Sequence, residues 1–390
     1  MPHRRRQGWR PSLLLPLAAL TIAALACQSL GPDSPSATRV VPTEERLPNP
    51  EGLATDAFGT PAPTDEAPVE EPTSGGPVGI TGSGADYTQP MALGQTLTVA
   101  NWDVAVNAYH YGDQASEVLG TMSDLVDTPP NGFQYVIVQL TATSRYADND
   151  NHGVPYDVRL LADNRHSYNS AGFPTVKEPF EGEVRKDESV TGWLVFLSPV
   201  ETKEFQLVFS DFDNDFNTVE GYFALTPNAA LPAADPSTFP PDNEVGIDPK
   251  APARIGETVV VGRFALTITE ILRGDAADKI IAESVFAPEP EAGQEFALAR
   301  IRVLAVGREP KLQSFSTILF SVQPSSGDPI GLPFLVLPGE SVDTSLIPGG
   351  ELEAYLPLAI PSDDPGALLY YDPTFGFGDE TPARYFSLQP

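Results

Sequence analysis

The chain has one cysteine, Cys27, in 390 residues. Internal disulfides are therefore excluded, and any folded part must be held by hydrophobic cores, for which the chain is long enough to build two. Basic side chains are scarce. Twenty-three Lys and Arg stand against 53 Asp and Glu, a net charge of −30. Such a field repels phosphate backbones, so nucleic acid is excluded as a partner. Histidine is rarer still: His3, His110, His152 and His166 are all there are. No H-x-x-x-H or H-E-x-x-H pair exists, which removes the catalytic zinc motif. No serine sits in a G-x-S-x-G elbow, and no glycine-rich loop runs into Lys-Ser/Thr. Carboxylates abound, but no spacing singles out a pair for sugar hydrolysis. The chain reads as non-catalytic and needs no cofactor, with calcium as the one candidate. No apolar run reaches the ~20 residues of a spanning helix.

What is present begins with one short apolar run, Leu13 to Ala26. Arg4, Arg5, Arg6 and Arg10 precede it and Cys27 closes it. A basic head, a short apolar stretch and small residues before a cut describe an export signal, assigned to residues 1–26. With its only cysteine at the cut, the segment resembles a bacterial lipoprotein signal. That resemblance implies acylation (palmitate) of Cys27 and membrane attachment through an N-terminal lipid, at the outer face of a bacterial membrane or the cell surface. Ala24-Leu25-Ala26 also satisfies ordinary signal peptidase, and on that alternative the product is secreted and soluble. Either cut removes four arginines and no acid, taking the net charge from −30 to −34.

Residues 27–90 are rich in proline, acid, threonine and glycine, with apolar residues scattered at no period. Such a stretch buries too little surface to offset its ordering entropy, so a disordered tether is expected. The remainder contains an internal repeat. Leu93-Gly94-Gln95-Thr96-Leu97-Thr98-Val99 matches Ile255-Gly256-Glu257-Thr258-Val259-Val260-Val261 at an offset of 162. Trp102 matches Phe264, and Gly112-Asp113 matches Gly274-Asp275. Gly132 to Leu140 matches Gly293 to Ile301, Trp193 to Phe196 matches Tyr355 to Leu358, and Gly221 to Leu225 matches Arg384 to Leu388. Ordered blocks with an offset drifting only between 161 and 163 mark two homologous domains.

The blocks alternate with period 2. Trp102, Val104 and Val106 fall on one face, and Asp103, Ala105 and Asn107 on the other. Strands are also expected at 135–140, 190–197, 204–209 and 222–225, and in the second copy at 258–261, 264–271, 295–303, 315–322, 351–358 and 368–371. The helix candidates, near 116–125 and 276–284, are short enough to be connecting turns. The expected fold class is all-β, with two immunoglobulin-like β-sandwich domains in tandem at 91–226 and 254–390, joined by a proline- and acid-rich linker at 227–253. Trp102, Trp193, Phe264 and Tyr355 are expected as core markers. Pro357 removes a ladder donor, so its strand is expected at a sheet edge or a bulge.

The opening Gly94-Gln95-Thr96-Leu97-Thr98-Val99 with Trp102, the strand Gly132 to Leu140, the run Gly192-Trp193-Leu194-Val195-Phe196 and Leu207-Val208-Phe209-Ser210 together resemble the DUF4352 family of extracellular bacterial domains. The second copy carries the pattern more weakly, with Tyr355 for Trp193 and Pro357 for Val195. The resemblance implies an immunoglobulin-like sandwich behind a lipoprotein signal and a low-complexity linker. Its motifs are packing residues, so it implies no activity.

Two acidic loops are the metal candidates: Asp148 and Asp150 in one, Asp211, Asp213 and Asp215 in the other. Alternating Asp and Asn supply the hard oxygens that calcium prefers. Asp211-Phe212-Asp213-Asn214-Asp215 starts like an EF-hand loop, but Phe216 stands where the turn needs glycine and Tyr222 where the bidentate glutamate belongs. The competing reading is two solvated Asx-turns. Tyr109, Tyr111, Tyr146, Tyr156, Tyr168 and Phe173, near Arg145, Arg159 and Arg165, are candidates for a ligand platform. The function expected is a surface-tethered lipoprotein with a binding or scaffolding role toward an unknown protein or surface partner. The alternative is a structural subunit of a larger envelope or extracellular assembly.

Overall fold

The computed structural model describes residues 82–389 apart from 124, 125, 127, 156, 172, 173, 285–287, 336, 338–340 and 375–380. The signal, Cys27 and the tether up to residue 81 lie outside the described residues, as do Tyr156 and Phe173.

The regular structure of the described chain is mostly antiparallel strand with little helix, arranged as two sandwiches in tandem. The first uses β1 (Thr96–Val99), β2 (Trp102–Tyr111), β3 (Phe133–Ser144), β4 (His152–Gly153), β5 (Val158–Ala162), β6 (His166–Asn169), β7 (Glu183–Val184), β8 (Ser189–Pro199), β9 (Phe205–Phe212) and β10 (Thr218–Ala224). One layer is β1-β2-β3-β8 and the other runs β10-β9-β5-β6, while β4 and β7 pair apart. The inward faces meet in a core of Trp102, Val104, Val136, Val138, Leu160, Phe196, Phe205, Leu207 and Phe209, all 2% exposed or less.

The second sandwich uses β11 (Thr258–Val261), β12 (Phe264–Arg273), β13 (Gln294–Ala305), β14 (Gln313–Phe315), β15 (Phe320–Gln323), β16 (Ile330–Gly331), β17 (Thr344–Leu346), β18 (Glu351–Pro361), β19 (Leu368–Tyr371) and β20 (Arg384–Ser387). Its layers are β11-β12-β13-β18 and β16-β15-β19-β20. β18, which carries Pro357, is a terminal strand of its sheet, where a missing donor costs no ladder bond. The stretch expected as one strand at 315–322 is broken. Ser316 caps a single 3-10 turn at Thr317–Leu319, and Asp343 accepts from the Thr317 N–H at 2.8 Å.

The repeat extends to irregularities. β2 shifts register between Val106 and Ala108, and β12 between Ile268 and Glu270. The extra residues, Asn107 and Thr269, are 162 apart. A bulge reverses which parity faces inward. Trp102, Val104 and Val106 are therefore followed into the core by Tyr109 and Tyr111, while His110 is turned outward toward Trp193, 6.2 Å between ring centroids. Beyond each bulge Gly112 (φ 62°, ψ −135°) and Gly274 (φ 54°, ψ −138°) take a conformation open essentially to glycine, and each starts a helix. These are α1 (Asp113–Met122) and α2 (Asp275–Ile281). α1 places Ala115 and Leu119 on the outer face of its sheet, against Ile137 and Val195; α2 places Ala277 and Ile281 against Leu298.

Two of the expected core markers need correction. Trp102 and Phe264 are buried in the sandwich cores, at 0% and 5% exposure. Trp193 and Tyr355 occupy equivalent strand positions, opposite Gln139 and Arg300. Both are only half-buried, on the outer, helix-covered face. The inward residues of β8 are Leu194 and Phe196, and period 2 sends Trp193 the other way.

Ordered chain also begins before the expected boundaries. Gly84 to Met91 packs along β10: the Tyr222 N–H donates to Gly84 O, the Met91 N–H to Tyr222 O and the Ala224 N–H to Met91 O. Gly246 to Ala253 repeats this on β20, with Tyr385 donating to Gly246, Ala253 to Tyr385 and Ser387 to Ala253. Each repeat thus starts about eight residues ahead of the boundaries at 91 and 254. Tyr87, inside the expected tether, is 1% exposed. Gln206 Nε2 donates to Tyr87 O at 2.8 Å and also to Ala229 O, tying the start of the expected linker to the same place.

The sandwiches share a sheet. β17 of the second pairs antiparallel with β6 of the first, with Ser345 opposite Ser167 and Leu346 opposite His166, giving six strands in the order β10-β9-β5-β6-β17-β14. Ile347 enters an apolar cluster with Tyr87, Leu161, Val208 and Tyr222. Arg165 donates to Pro348 O and Pro232 O, each at 2.8 Å, so one guanidinium holds both the second sandwich and the linker.

Candidate functional site

The acidic loops meet at one end of the first sandwich, joined by aromatic rings. Trp102 Nε1 donates to Asp211 Oδ2 at 2.9 Å. Tyr146 meets Trp102 edge-on at 5.8 Å, stacks on His152 at 3.6 Å, and His152 Nε2 lies 2.7 Å from Asp148 Oδ1. The carboxylates serve their own turns. Asp213 Oδ1 accepts from the Asp215 N–H at 2.9 Å and the Asn217 N–H at 2.8 Å, while Asp148 accepts from the Asp150 N–H at 3.1 Å. Bonds from Asn217 and from His152, respectively, hold the Asp213 and Asp148 carboxyls below the usual range. Among the described residues no group of three or more His, Cys, Asp and Glu is placed to hold a metal ion. Phe216, at the tip of the β9–β10 turn, has φ 63° and is 86% exposed.

The aromatic residues expected as a platform are dispersed. Tyr109 and Tyr111 stack at 6.5 Å and pack on the first core, as does Tyr168. The three arginines are engaged structurally: Arg145 with Asp103 at 2.9 Å, Arg159 with Asp157 at 2.6 Å, and Arg165 with the linker and second sandwich.

A cleft of about 1060 Å³ lies between the sandwiches. One wall is the outer face of β5, β9 and β10, with Asp157, Arg159, Ser210, Thr218 and Glu220. The opposite wall comes from the β11–β12 turn (Gly262, Arg263) and from 306–314, and the linker closes the third side with Pro236, Phe239, Pro240 and Pro241. At the floor, the Leu312 N–H donates to Tyr222 Oη at 3.1 Å and to Glu220 Oε2 at 3.4 Å, and the Tyr222 hydroxyl donates to Glu220. Burial pushes the Glu220 carboxyl up from its usual range, against the lowering effect of these donors. Arg159 Nη1 donates to Ser345 Oγ, which lies 3.0 Å from Ser314 Oγ. Gln313 is 2% exposed; its Oε1 accepts from the Gly307 N–H at 3.3 Å, and its Nε2 has no acceptor among the described residues. A Cβ on Gly307 would lie 2.3 Å from that Nε2, so glycine is required for the amide to sit there.

Sequence reading missed this site because its residues come from separate segments of both repeats and the linker. One signal was available. In a chain with few cations, Arg263 stands where the first repeat has Asn101, and Arg308 and Lys311, which follow a strand matched at offset 161, stand where it has Ala147 and Asp150.

No family model matches the chain, and no curated protein matches it. Solved structures do. ycdA from Bacillus subtilis, provisionally assigned as a lipoprotein, aligns at 14% identity and TM-score 0.26 over 33% of this chain and 38% of its own. The yjhA protein of Bacillus subtilis aligns at 16% identity and TM-score 0.23, over 34% of this chain and 98% of its own. An uncharacterised β-sandwich protein of Clostridium difficile 630 aligns at 8% identity and TM-score 0.22, over 34% of this chain and 91% of its own. Each alignment spans about a third of this chain, and the chain spans well under half of ycdA.

Proposed function

We propose that this is an exported, lipid-anchored, non-catalytic binding protein, a divergent tandem relative of the DUF4352 domains, which takes its ligand in the cleft between its sandwiches. The observation that carries the reading is the shared sheet. Pairing of β6 with β17, the Ile347 cluster and the Arg165 clamp fix two modules together and leave an open, mixed polar and apolar cleft between them. Acylation at Cys27 and a tether would hold this pair off a membrane, facing outward. Fold alone assigns no activity, so the reading rests on the cleft and the export signal. The test is cross-linking in intact cells with photoreactive groups at Arg263 and Arg308, followed by mass spectrometry. Adducts that disappear when the groups are moved to α1, remote from the cleft, support the reading. Labelling equally strong from α1, or none from the cleft, would overturn it. Capture of a large partner protein from the sandwich ends alone would favour the assembly-subunit alternative.

A further inference from the structure

The cleft concentrates what the rest of the chain lacks. Net charge is −30, yet Arg159, Arg263, Arg308 and Lys311 all line it. Arg159 is consumed by Asp157 and Ser345. Arg263, Arg308 and Lys311 are exposed at the opposite wall and in no ion pair among those described. The acids of the cleft are largely committed: Asp157 to Arg159, and Glu220 to the Tyr222 hydroxyl and the Leu312 N–H, with the Lys311 charge near enough to favour its ionised form. Asp242 and Glu309 remain at the rim. The same segment carries the buried Gln313 amide, and on the third side Phe239, packed on Val260, Ala265 and Val306, forms an apolar wall with three prolines. Guanidinium forks match the paired oxygens of carboxylate or phosphate, and an aromatic face suits the C–H side of a sugar ring. The cations come from two separate segments, and the nearby edge strand β14 has only three residues, too short to add a peptide strand.

We propose, resting on the reading of the cleft as the binding site, that its ligand is an acidic saccharide. Arg263, Arg308 and Lys311 hold the sugar's carboxylate or phosphate oxygens, and Phe239 takes the apolar face. The test is isothermal titration calorimetry on the full-length protein in detergent with four probes: trigalacturonate, glucose 6-phosphate, neutral maltotriose and hexaglutamate. Binding of trigalacturonate or glucose 6-phosphate is expected, and the stronger of the two identifies carboxylate or phosphate as the group recognised. Its affinity should fall at least tenfold in R263A, R308A and K311A, whose exposed side chains leave the melting temperature unchanged, and again between 50 and 500 mM salt, concentrations of roughly the span that screens exposed charge. Silence toward both acidic sugars overturns the proposal. So does maltotriose binding as tightly, or affinity unaltered by the three substitutions. Preferential binding of hexaglutamate replaces the saccharide with an acidic peptide. Cross-linking from the cleft in cells alongside calorimetric silence would leave the binding function standing and remove only the ligand class.

Discussion

Trp102 is the residue at which the packing of the first sandwich can be tested most sharply. It is fully buried, and its indole N–H reaches Asp211 across the two layers at 2.9 Å. The second sandwich places Phe264 at the same position, which shows that a phenyl ring fits this architecture. Trp102→Phe should cost about 3 kcal/mol: about 1–2 from the smaller ring and the space it leaves, and about 1–1.5 for the hydrogen bond, discounted because Asp211 is partly exposed. Asp211→Ala should cost about 1–2 kcal/mol, since it strands a buried N–H donor. The double variant should cost about 1–1.5 kcal/mol less than the sum, because the second change removes a partner already lost. The assay is urea unfolding followed by circular dichroism. With a slope of about 2–3 kcal/mol/M, the Trp102→Phe midpoint should fall by roughly 1 M. Additivity within about 0.3–0.5 kcal/mol would refute the reasoning, because it would mean the inter-layer bond contributes nothing.

Ile347→Ala should destabilise the protein by about 2–4 kcal/mol in the same assay, since Ile347 is fully buried between the sandwiches; no change would mean the shared sheet does not couple them. Phe216→Gly should raise stability by about 0.5 kcal/mol, the relief of a left-handed residue less the entropy of glycine, while Phe216→Val should lower it. Glu220 has a raised folded pKa, so its contribution is fully present below the unfolded carboxylate value and is lost as pH rises through the folded one. Glu220→Gln should accordingly gain stability relative to the parent at pH 7 but not at pH 4, and equal effects at both would contradict the desolvation account. Millimolar calcium at constant ionic strength should leave the melting temperature where EDTA leaves it, because Asp148 and Asp213 are bonded within their own turns; a selective rise would restore the calcium site.

The repeat was legible because both copies keep the same turn and packing residues at one offset, down to Gly112 and Gly274. The start of each module was also written there, as Gly84, Asp86 and Pro90 recurring at Gly246, Asp248 and Pro252, but was obscured by the proline- and acid-rich composition around it. In both copies the aspartate caps the turn, with Asp86 accepting from the Thr88 N–H and Asp248 from the Lys250 N–H.

Period 2 determined that strands have two faces, and turn residues determined where strands end. These are local consequences of backbone geometry. They did not determine which face becomes core, and so could not tell Trp193 from Trp102: in a sandwich whose outer face is covered by a helix, both faces carry large apolar side chains. The pairing of β6 with β17, the burial of Tyr87 and Ile347 together, and the gathering of Arg263, Lys311 and Gln313 on one wall of the cleft were decided by tertiary structure alone. Those contacts join residues tens to hundreds of positions apart, and no periodicity within a strand encodes which distant edge it will meet.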